Sequence, residues 1–580
     1  MQIGERDGAR TAARLFPEQR AAALAELSTR EFDVLVVGGG VTGAGVALDA
    51  VTRGLSVGLV EARDYAAGTS SRSSKLIHGG LRYLERLDFG LVREALRERA
   101  LILDRLCPHL AQPVPFLYPL THRGWERLYV GAGFALYDAL GGRRGTVPGH
   151  RHLSRTAALR AMPSLRPDSL VGAVRYYDGQ VDDARHTMML ARTAADWGAV
   201  VATSVRATGF VEVGGRVAGV TARDLESGQP LTIRARVVVN AAGVFLPQLQ
   251  DLAPDGSRLQ VIASKGVHLV VPWDRIHFTT GLITKTPTSV LFVIPWHGSH
   301  WLIGTTDTPW SLDLAHPAAS ARDIDYLLAQ VNRLLRDPLT AADVVGVYAG
   351  LRPLLAGESD ATSKLSREHA VLTTSPGLVL VAGGKYTTYR VMARDAVDEA
   401  VRDWPDSVPA STTERVPLVG AAGYSAAWES RVALADRHGL TVAAMERLLR
   451  RYGTVVEEVL APAAGRPDLR DTLTEAPGYL RAEALYAATH EGALHLDDVL
   501  TRRTRISIEV PDRGVGAAVE VAELVAPVLG WSAADAEREV QHYRARVAAE
   551  RESQTQPDDL TADAARLGAP DVRLDRRRHT

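Results

Sequence analysis

The sequence predicts an α/β chain in which helices cover a parallel sheet, with an antiparallel part set into it and a separate α-helical domain behind. Three observations carry this. From residue 32 onward, β-branched apolar runs alternate with segments of helical period. A run of glycines joins the first such strand to the first such helix. Beyond about residue 415 glycine thins out, strand-like runs nearly vanish, and Ala, Leu, Glu and Arg dominate.

Length and charge bound the reading. At 580 residues and about 150 residues per domain, the expectation is about four domains. Lys plus Arg number 67 against 68 Asp plus Glu, a net charge of -1. That balance argues against a strongly basic nucleic-acid binder, and no nucleic-acid partner is expected. The one cysteine, Cys107, allows no intramolecular disulfide and fits a reducing cytoplasm. Residues 1–30 mix acids with arginines and lack an apolar run, so no secretory signal is expected. The nearly uncharged stretch 32–60 is broken by Gly38, Gly43, Asp49 and Arg53. It reads as a buried βαβ unit rather than a membrane span.

Taken in order, residues 1–30 form an N-terminal extension with a short Ala-rich helix at 18–27. Strands follow at 34–37 and 56–60, then an amphipathic helix at 89–106. Short strands separated by turns at 213–216 and 226–229 suggest an antiparallel platform between about 200 and 300. Helical spacing returns at 442–451, 482–489, 515–528 and 533–552. The polar residues 553–580, ending in Arg576-Arg577-Arg578, are expected to be disordered.

Gly38-Gly39-Gly40-Val41-Thr42-Gly43 is a G-x-G-x-x-G placed after an apolar strand and before a helix. Its glycines allow a tight turn and let backbone N–H groups approach a pyrophosphate at the helix N-terminus. The next strand ends at Glu61, eighteen residues past Gly43, where a carboxylate suits a ribose without a 2′-phosphate. The fingerprint alone leaves NAD and FAD open. Two further strand–glycine turns, at Ala241-Ala242-Gly243 and at Gly383-Gly384-Lys385, suit a long cofactor that threads the domain.

From Gly68-Thr69-Ser70-Ser71-Arg72-Ser73-Ser74-Lys75-Leu76-Ile77-His78-Gly79-Gly80-Leu81-Arg82-Tyr83-Leu84-Glu85 the chain resembles the FAD-dependent glycerol-3-phosphate dehydrogenases, relatives of D-amino-acid oxidase. The resemblance continues through Val181-Asp182-Asp183-Ala184-Arg185, Lys265-Gly266-Val267-His268, Ile303-Gly304-Thr305-Thr306-Asp307, Gly350-Leu351-Arg352-Pro353-Leu354 and Asp497-Asp498-Val499-Leu500-Thr501-Arg502-Arg503-Thr504-Arg505. It covers about residues 31–550. It implies an α/β Rossmann-type FAD-binding domain (mainly 31–115, 175–250 and 345–400) interleaved with an α+β antiparallel-sheet substrate domain (mainly 116–174 and 251–344). An all-α C-terminal domain would span 416–552. It also implies oxidation of sn-glycerol 3-phosphate to dihydroxyacetone phosphate, with electrons passed from FAD to a quinone. The alternative is a glycerol-3-phosphate oxidase that uses oxygen.

Such a reaction needs a hydride acceptor, a base and a grip on the phosphate. Arg352 and Arg82 are expected to hold the phosphate, because a planar guanidinium fork suits it better than an ammonium. His268, in an apolar strand, is the expected base, since a neutral imidazole there can accept the hydroxyl proton. A lone histidine in such a strand is more often a packed core residue, so the resemblance carries this choice. His78 is expected near the flavin instead. Lys385 would place a cation near flavin or substrate, and Tyr83 either bonds the substrate or packs. Gly38, Gly40, Gly43, Glu61, Ser70, Ser73, Ser74, His78, Ala242, Gly243, Gly384 and Lys385 make up the expected cofactor contacts.

No metal site is expected, because His490 and His495 lie five residues apart, off the helical face a zinc motif needs. Arg502, Arg503 and Arg505 read as a solvated ion-pairing face. The aromatic helix around Trp125, Leu128, Tyr129 and Phe134 suits either a membrane interface or core packing. The expected location is cytoplasmic, with peripheral contact to the inner membrane face and a homodimer both left open.

Overall fold

The computed structural model describes residues 12–80, 88–122, 124–141, 147–253, 259–286, 290–356 and 369–575. Its first strand, Glu31–Val37, is buried from Val34 to Val37, as a strand covered on both faces must be. It pairs in parallel with Val57–Val60 on one side and Pro230–Asn240 on the other. Leu378–Gly383 and Val200–Ala202 extend the parallel order outward. Between the first two strands lies the helix Val41–Thr52, whose Gly45 sits against Tyr389 of the helix Tyr389–Ala400. This is a Rossmann-type layer.

A second sheet of ten described strands lies beside it. Its centre is the long strand Val261–Pro272, paired antiparallel with His300–Gly304 and with Gly346–Leu355. Ala111–Leu120 and Gly172–Val181 form its other half, and Ala111–Leu120 joins Gly281–Lys285 in parallel. The hairpin at Val205–Val213 and Arg216–Asp224 belongs instead to the first sheet, through Pro230–Asn240. The expected platform between 200 and 300 is therefore split between two sheets. Gly346–Leu355, expected mainly with the cofactor-binding domain, pairs along its length with Val261–Pro272 of the second sheet. Alternating apolar residues reveal a strand but not its partner.

The C-terminal part is helical apart from a small ribbon of Thr472–Leu473 and Ala476–Leu480. It is not a loose appendage. One continuous apolar core runs from Val34 and Ala47 through Met188 and Leu190 to Leu448 and Leu500. Buried ion pairs fasten the same junction. Arg185 pairs with Glu491 (2.7 Å), and Arg503 and Arg502 both bond Asp64 (2.7 and 2.6 Å). Burial opposes the charge on Asp64, yet Arg503 and Arg502 hold its carboxyl well below the usual range.

Two expectations are corrected here. Arg502, Arg503 and Arg505 are not a solvated face; they are at most 5% exposed and bridge the helical domain to Asp64, Asp182 and Asp183. A basic run carries no local sign of the distant carboxylates that bury it. Nor are residues 553–575 disordered. Asp558 caps the helix Asp559–Leu567, a further turn spans Val572–Asp575, and buried Arg573 bonds Ser204 (2.7 Å) and Asp498 (2.9 Å). Polar composition hid an anchor made of polar contacts.

Asp64→Ala would leave two arginines buried without their shared carboxylate. Loss of about 3–5 kcal/mol is expected, read as a lower urea midpoint; an unchanged midpoint would show that the pair contributes nothing.

Candidate active site

The glycine turn is shaped for close backbone approach. Gly38 has φ +119°, and a Cβ there would lie 2.6 Å from the Ala241 carbonyl oxygen. A Cβ on Gly43 would overlap the Gly38 carbonyl oxygen, so helix and turn come together only without side chains. Gly40 caps the helix Val41–Thr52, whose Val41 N–H donates to Ser70 Oγ (2.9 Å). Glu61 accepts from the N–H groups of Gly39 (2.6 Å) and Arg63 (2.8 Å), and each oxygen keeps a lone pair for a ribose hydroxyl. These residues fit a dinucleotide with its pyrophosphate at the helix N-terminus.

The far end of the path is assembled from distant segments. His78 N–H donates to Thr387 Oγ1 (3.2 Å), whose hydroxyl faces the His78 carbonyl (3.3 Å). This brings His78 to the turn Tyr386–Thr388, which Gly384 (φ +75°) and its capping residue Lys385 precede. Ala242 and Gly243 open a short turn after Asn240, whose Oδ1 accepts from Ala242 N–H (3.1 Å). Ser73 donates from N–H and hydroxyl to Asp183 Oδ2 (2.9 and 2.7 Å). Arg82 and Tyr83 lie outside the described residues.

His268 and Arg352 come from neighbouring strands. Pairing of Val261–Pro272 with Gly346–Leu355 sets His268 opposite Tyr348, Gly266 opposite Gly350 and Ser264 opposite Arg352. The imidazole stacks on the Tyr348 ring at 4.8 Å, nearly parallel at 9°, and its Nε2 lies 2.8 Å from Ser74 Oγ. Gly304 is directly across the sheet, where a Cβ would overlap the imidazole. Arg352 donates to Thr305 Oγ1 (3.1 Å) and the Thr306 carbonyl (3.2 Å), and Asp307 lies 3.5 Å away. A Cβ on Gly266 would lie 2.6 Å from Arg352 Nη2, so this glycine makes room for the guanidinium.

Burial, then the charges of Arg352 and Lys75, drive the His268 pKa well below that of a free imidazole. Both effects favour the neutral ring, the form that carries a free lone pair. We assign the single N–H of the neutral ring to Nε2, donating to Ser74 Oγ. That leaves a lone pair on Nδ1, which has no protein hydrogen-bond partner among the described residues.

Sequence reasoning missed the support behind this histidine. Fully buried Lys75 bonds Asp183 (2.7 Å) and the Ser71 carbonyl (3.0 Å), and its ammonium sits 4.9 Å from the Tyr348 ring centroid. Burial and Arg505 bring the Lys75 pKa down to about 8. Arg505 meets the same Asp183 oxygen (2.5 Å). The only signal was the buried-type setting of Lys75 between serines and an apolar pair. His495, weighed and set aside as a metal ligand, is buried between Glu226 (2.9 Å) and Glu539 (2.8 Å). Burial and Arg573 oppose its charge, but the two glutamates lift its pKa to about 10.

A glycine-shaped dinucleotide cradle, with a neutral imidazole beside an arginine, suits an oxidoreductase of the dinucleotide-binding class, and comparison with known proteins gives the family. Residues 33–399 match the FAD dependent oxidoreductase family, and the chain belongs to it. Residues 411–536 match the C-terminal domain of alpha-glycerophosphate oxidase.

Among relatives, glycerol-3-phosphate dehydrogenase 2 of Mycobacterium bovis is 60% identical over 97% of this chain and 96% of its own length. The mitochondrial glycerol-3-phosphate dehydrogenase of Mus musculus is 37% identical over 89% of this chain and 73% of its own. The Bacillus halodurans glycerol-3-phosphate dehydrogenase complexed with FAD superposes with a TM-score of 0.76 at 30% identity, covering 91% of this chain and 97% of that one. The chain is thus an FAD-dependent oxidoreductase whose near relatives are glycerol-3-phosphate dehydrogenases.

Gly304→Ala should displace the imidazole while leaving the cofactor cradle intact. Turnover is expected to fall by about a hundredfold, with FAD content per chain unchanged by its visible absorbance. Full turnover in this variant would show that the ring position is not critical.

Proposed function

We propose that the chain oxidises sn-glycerol 3-phosphate to dihydroxyacetone phosphate and that the electrons leave to a quinone. The observation that carries this is the pairing of a neutral His268 with the Arg352 guanidinium on adjacent strands, in a chain whose relatives bear that activity in their names. Arg352 binds the substrate phosphate through its fork, held in plane by Thr305, Thr306 and Asp307. Arg82 joins it in holding the phosphate. His268 takes the C2 hydroxyl proton on Nδ1 while Nε2 stays bonded to Ser74. Bound FAD supplies the acceptor for the C2 hydride. Gly38, Gly40, Gly43, Glu61 and Ser70 hold its nucleotide half; Ser73, Ser74, His78, Ala242, Gly243, Gly384 and Lys385 hold the rest. Tyr83 and Lys385 complete the substrate end.

Anaerobic addition of glycerol 3-phosphate should bleach the yellow FAD-loaded protein, whereas glycine or alanine should not; an unchanged spectrum contradicts the proposal. The reduced protein should then reoxidise fast with a soluble quinone and slowly with oxygen. The reverse order would make it an oxidase. Arg352→Ala should lower kcat/KM about ten- to a hundredfold, the cost of a lost charged hydrogen bond. His268→Asn should lower kcat by about 10²–10⁴ with KM nearly unchanged.

A quinone acceptor places the enzyme at a membrane surface, and the helix Trp125–Gly141 suits that contact. Trp125 (63% exposed), Leu128 (77%), Tyr129 and Leu136 project from one side, while Phe134 and Tyr137 are buried on the other. No helix of the described residues is long and apolar enough to cross a membrane. The protein should float with phospholipid vesicles. Trp125→Asp with Leu128→Glu should abolish flotation without slowing turnover with a soluble acceptor; flotation of the double variant would exclude this helix.

A further inference from the structure

Where the helices Ala533–Ser553 and Asp559–Leu567 close over the Arg72 loop, they enclose a cavity of about 60 Å³. That is room for roughly four to six waters, at about 10–15 Å³ for each. Its lining includes four arginines, Arg72, Arg505, Arg546 and Arg566, against one carboxylate, Glu550. None of the residues assigned to substrate or cofactor is among its walls.

The arginines differ in how their charge is met. Arg505 is bound by Asp182 and Asp183, and Arg546 by Asp497 (2.9 Å) and Glu550 (2.9 Å). Arg566, 4% exposed, reaches Glu550 only at 3.8 Å and otherwise donates to the Ala569 carbonyl and His316 Nδ1, both at 3.2 Å. Arg72 donates to the Ala315 carbonyl (3.4 Å). His316 adds no charge, since burial lowers its pKa to about 4 despite Asp571. Glu550 thus pairs closely with Arg546, reaches Arg566 weakly and acts on Arg72 only through space, while Arg72 donates to a carbonyl.

Like charges confined in this way are costly. Burial, and then Arg63 and Arg546, bring the Arg72 pKa down to about 9; burial and Arg546 also lower that of Arg566 against the pull of Glu550. An oxyanion with several acceptor oxygens would relieve that repulsion, and guanidinium forks match its geometry. Hydroxyls of Ser71, Thr501, Ser507 and Ser553 on the walls can serve the remaining oxygens. The volume is too small for a nucleotide.

We propose that this cavity is a binding site for one small phosphate-class oxyanion, the free ion or the phosphate of a small ester, distinct from the catalytic site. It places an anion behind the catalytic base, because Tyr348 lines the cavity and also stacks on His268. The proposal does not depend on the substrate assigned above, since its test reads binding rather than turnover.

The test uses the FAD-loaded protein carrying Arg352→Ala, with radiolabelled inorganic phosphate in equilibrium dialysis. Saturable binding of one phosphate per chain is expected. Adding Arg566→Gln should weaken it at least tenfold, whereas adding Glu550→Gln should tighten it severalfold. Damage to the fold would move both variants in the same direction, so opposite shifts identify the cavity. Displacement by glycerol 3-phosphate would identify an ester as a ligand, and its failure would favour the free ion. Absence of saturable binding, an unchanged affinity in Arg566→Gln, or weaker binding in Glu550→Gln would overturn the proposal.

Discussion

The register between Val261–Pro272 and Gly346–Leu355 is the constraint on which the site depends. Side chains alternate along a strand, so a slip of one residue would send His268 and Arg352 to the wrong faces. In the observed register Tyr348 backs the imidazole, and paired Gly266 and Gly350 leave space beside it. Arg352 fills the space over Gly266, while the Arg72 backbone lies against Gly350. His268 and Arg352 are thus fixed to the sheet rather than to a loop.

Electrostatics finishes what the register begins. His268 is buried beside two cations, which favours the uncharged ring. Those cations need counter-charges of their own, and Asp183 provides one by holding Lys75, Ser73 and Arg505 together. Ser73 and Ser74 are thereby positioned from behind, with Ser74 touching His268. Arg505 belongs to the helical domain, so that domain helps to hold the loop against His268. Its shared apolar core and the Asp64 pairs have the same effect at larger scale.

Local signals were the legible ones. The G-x-G-x-x-G turn and the acid at Glu61 could be placed because strand, turn, helix and strand follow one another within thirty residues. His268 and Arg352 were singled out through the resemblance, each inside a strand that its own apolar run announced. Strand partners were less legible: nothing near Gly346–Leu355 says that it lies beside Val261–Pro272 rather than in the parallel sheet. The Lys75–Asp183–Arg505 junction joins residues separated by more than 300 positions at its widest and leaves no periodicity. The C-terminal segment around Arg573 failed for the opposite reason, because its anchors are polar and composition reads polarity as disorder.

The central claim is that the buried imidazole of His268 stays uncharged while it faces the substrate. Nitrogen-15 NMR of histidine-labelled, FAD-loaded protein tests it most directly, with the His268 signal assigned by its loss in His268→Asn. A neutral imidazole, protonated at Nε2 and showing no titration between about pH 5.5 and 8, is the predicted result. A titration midpoint near the free-histidine value of about 6.5 would contradict the account.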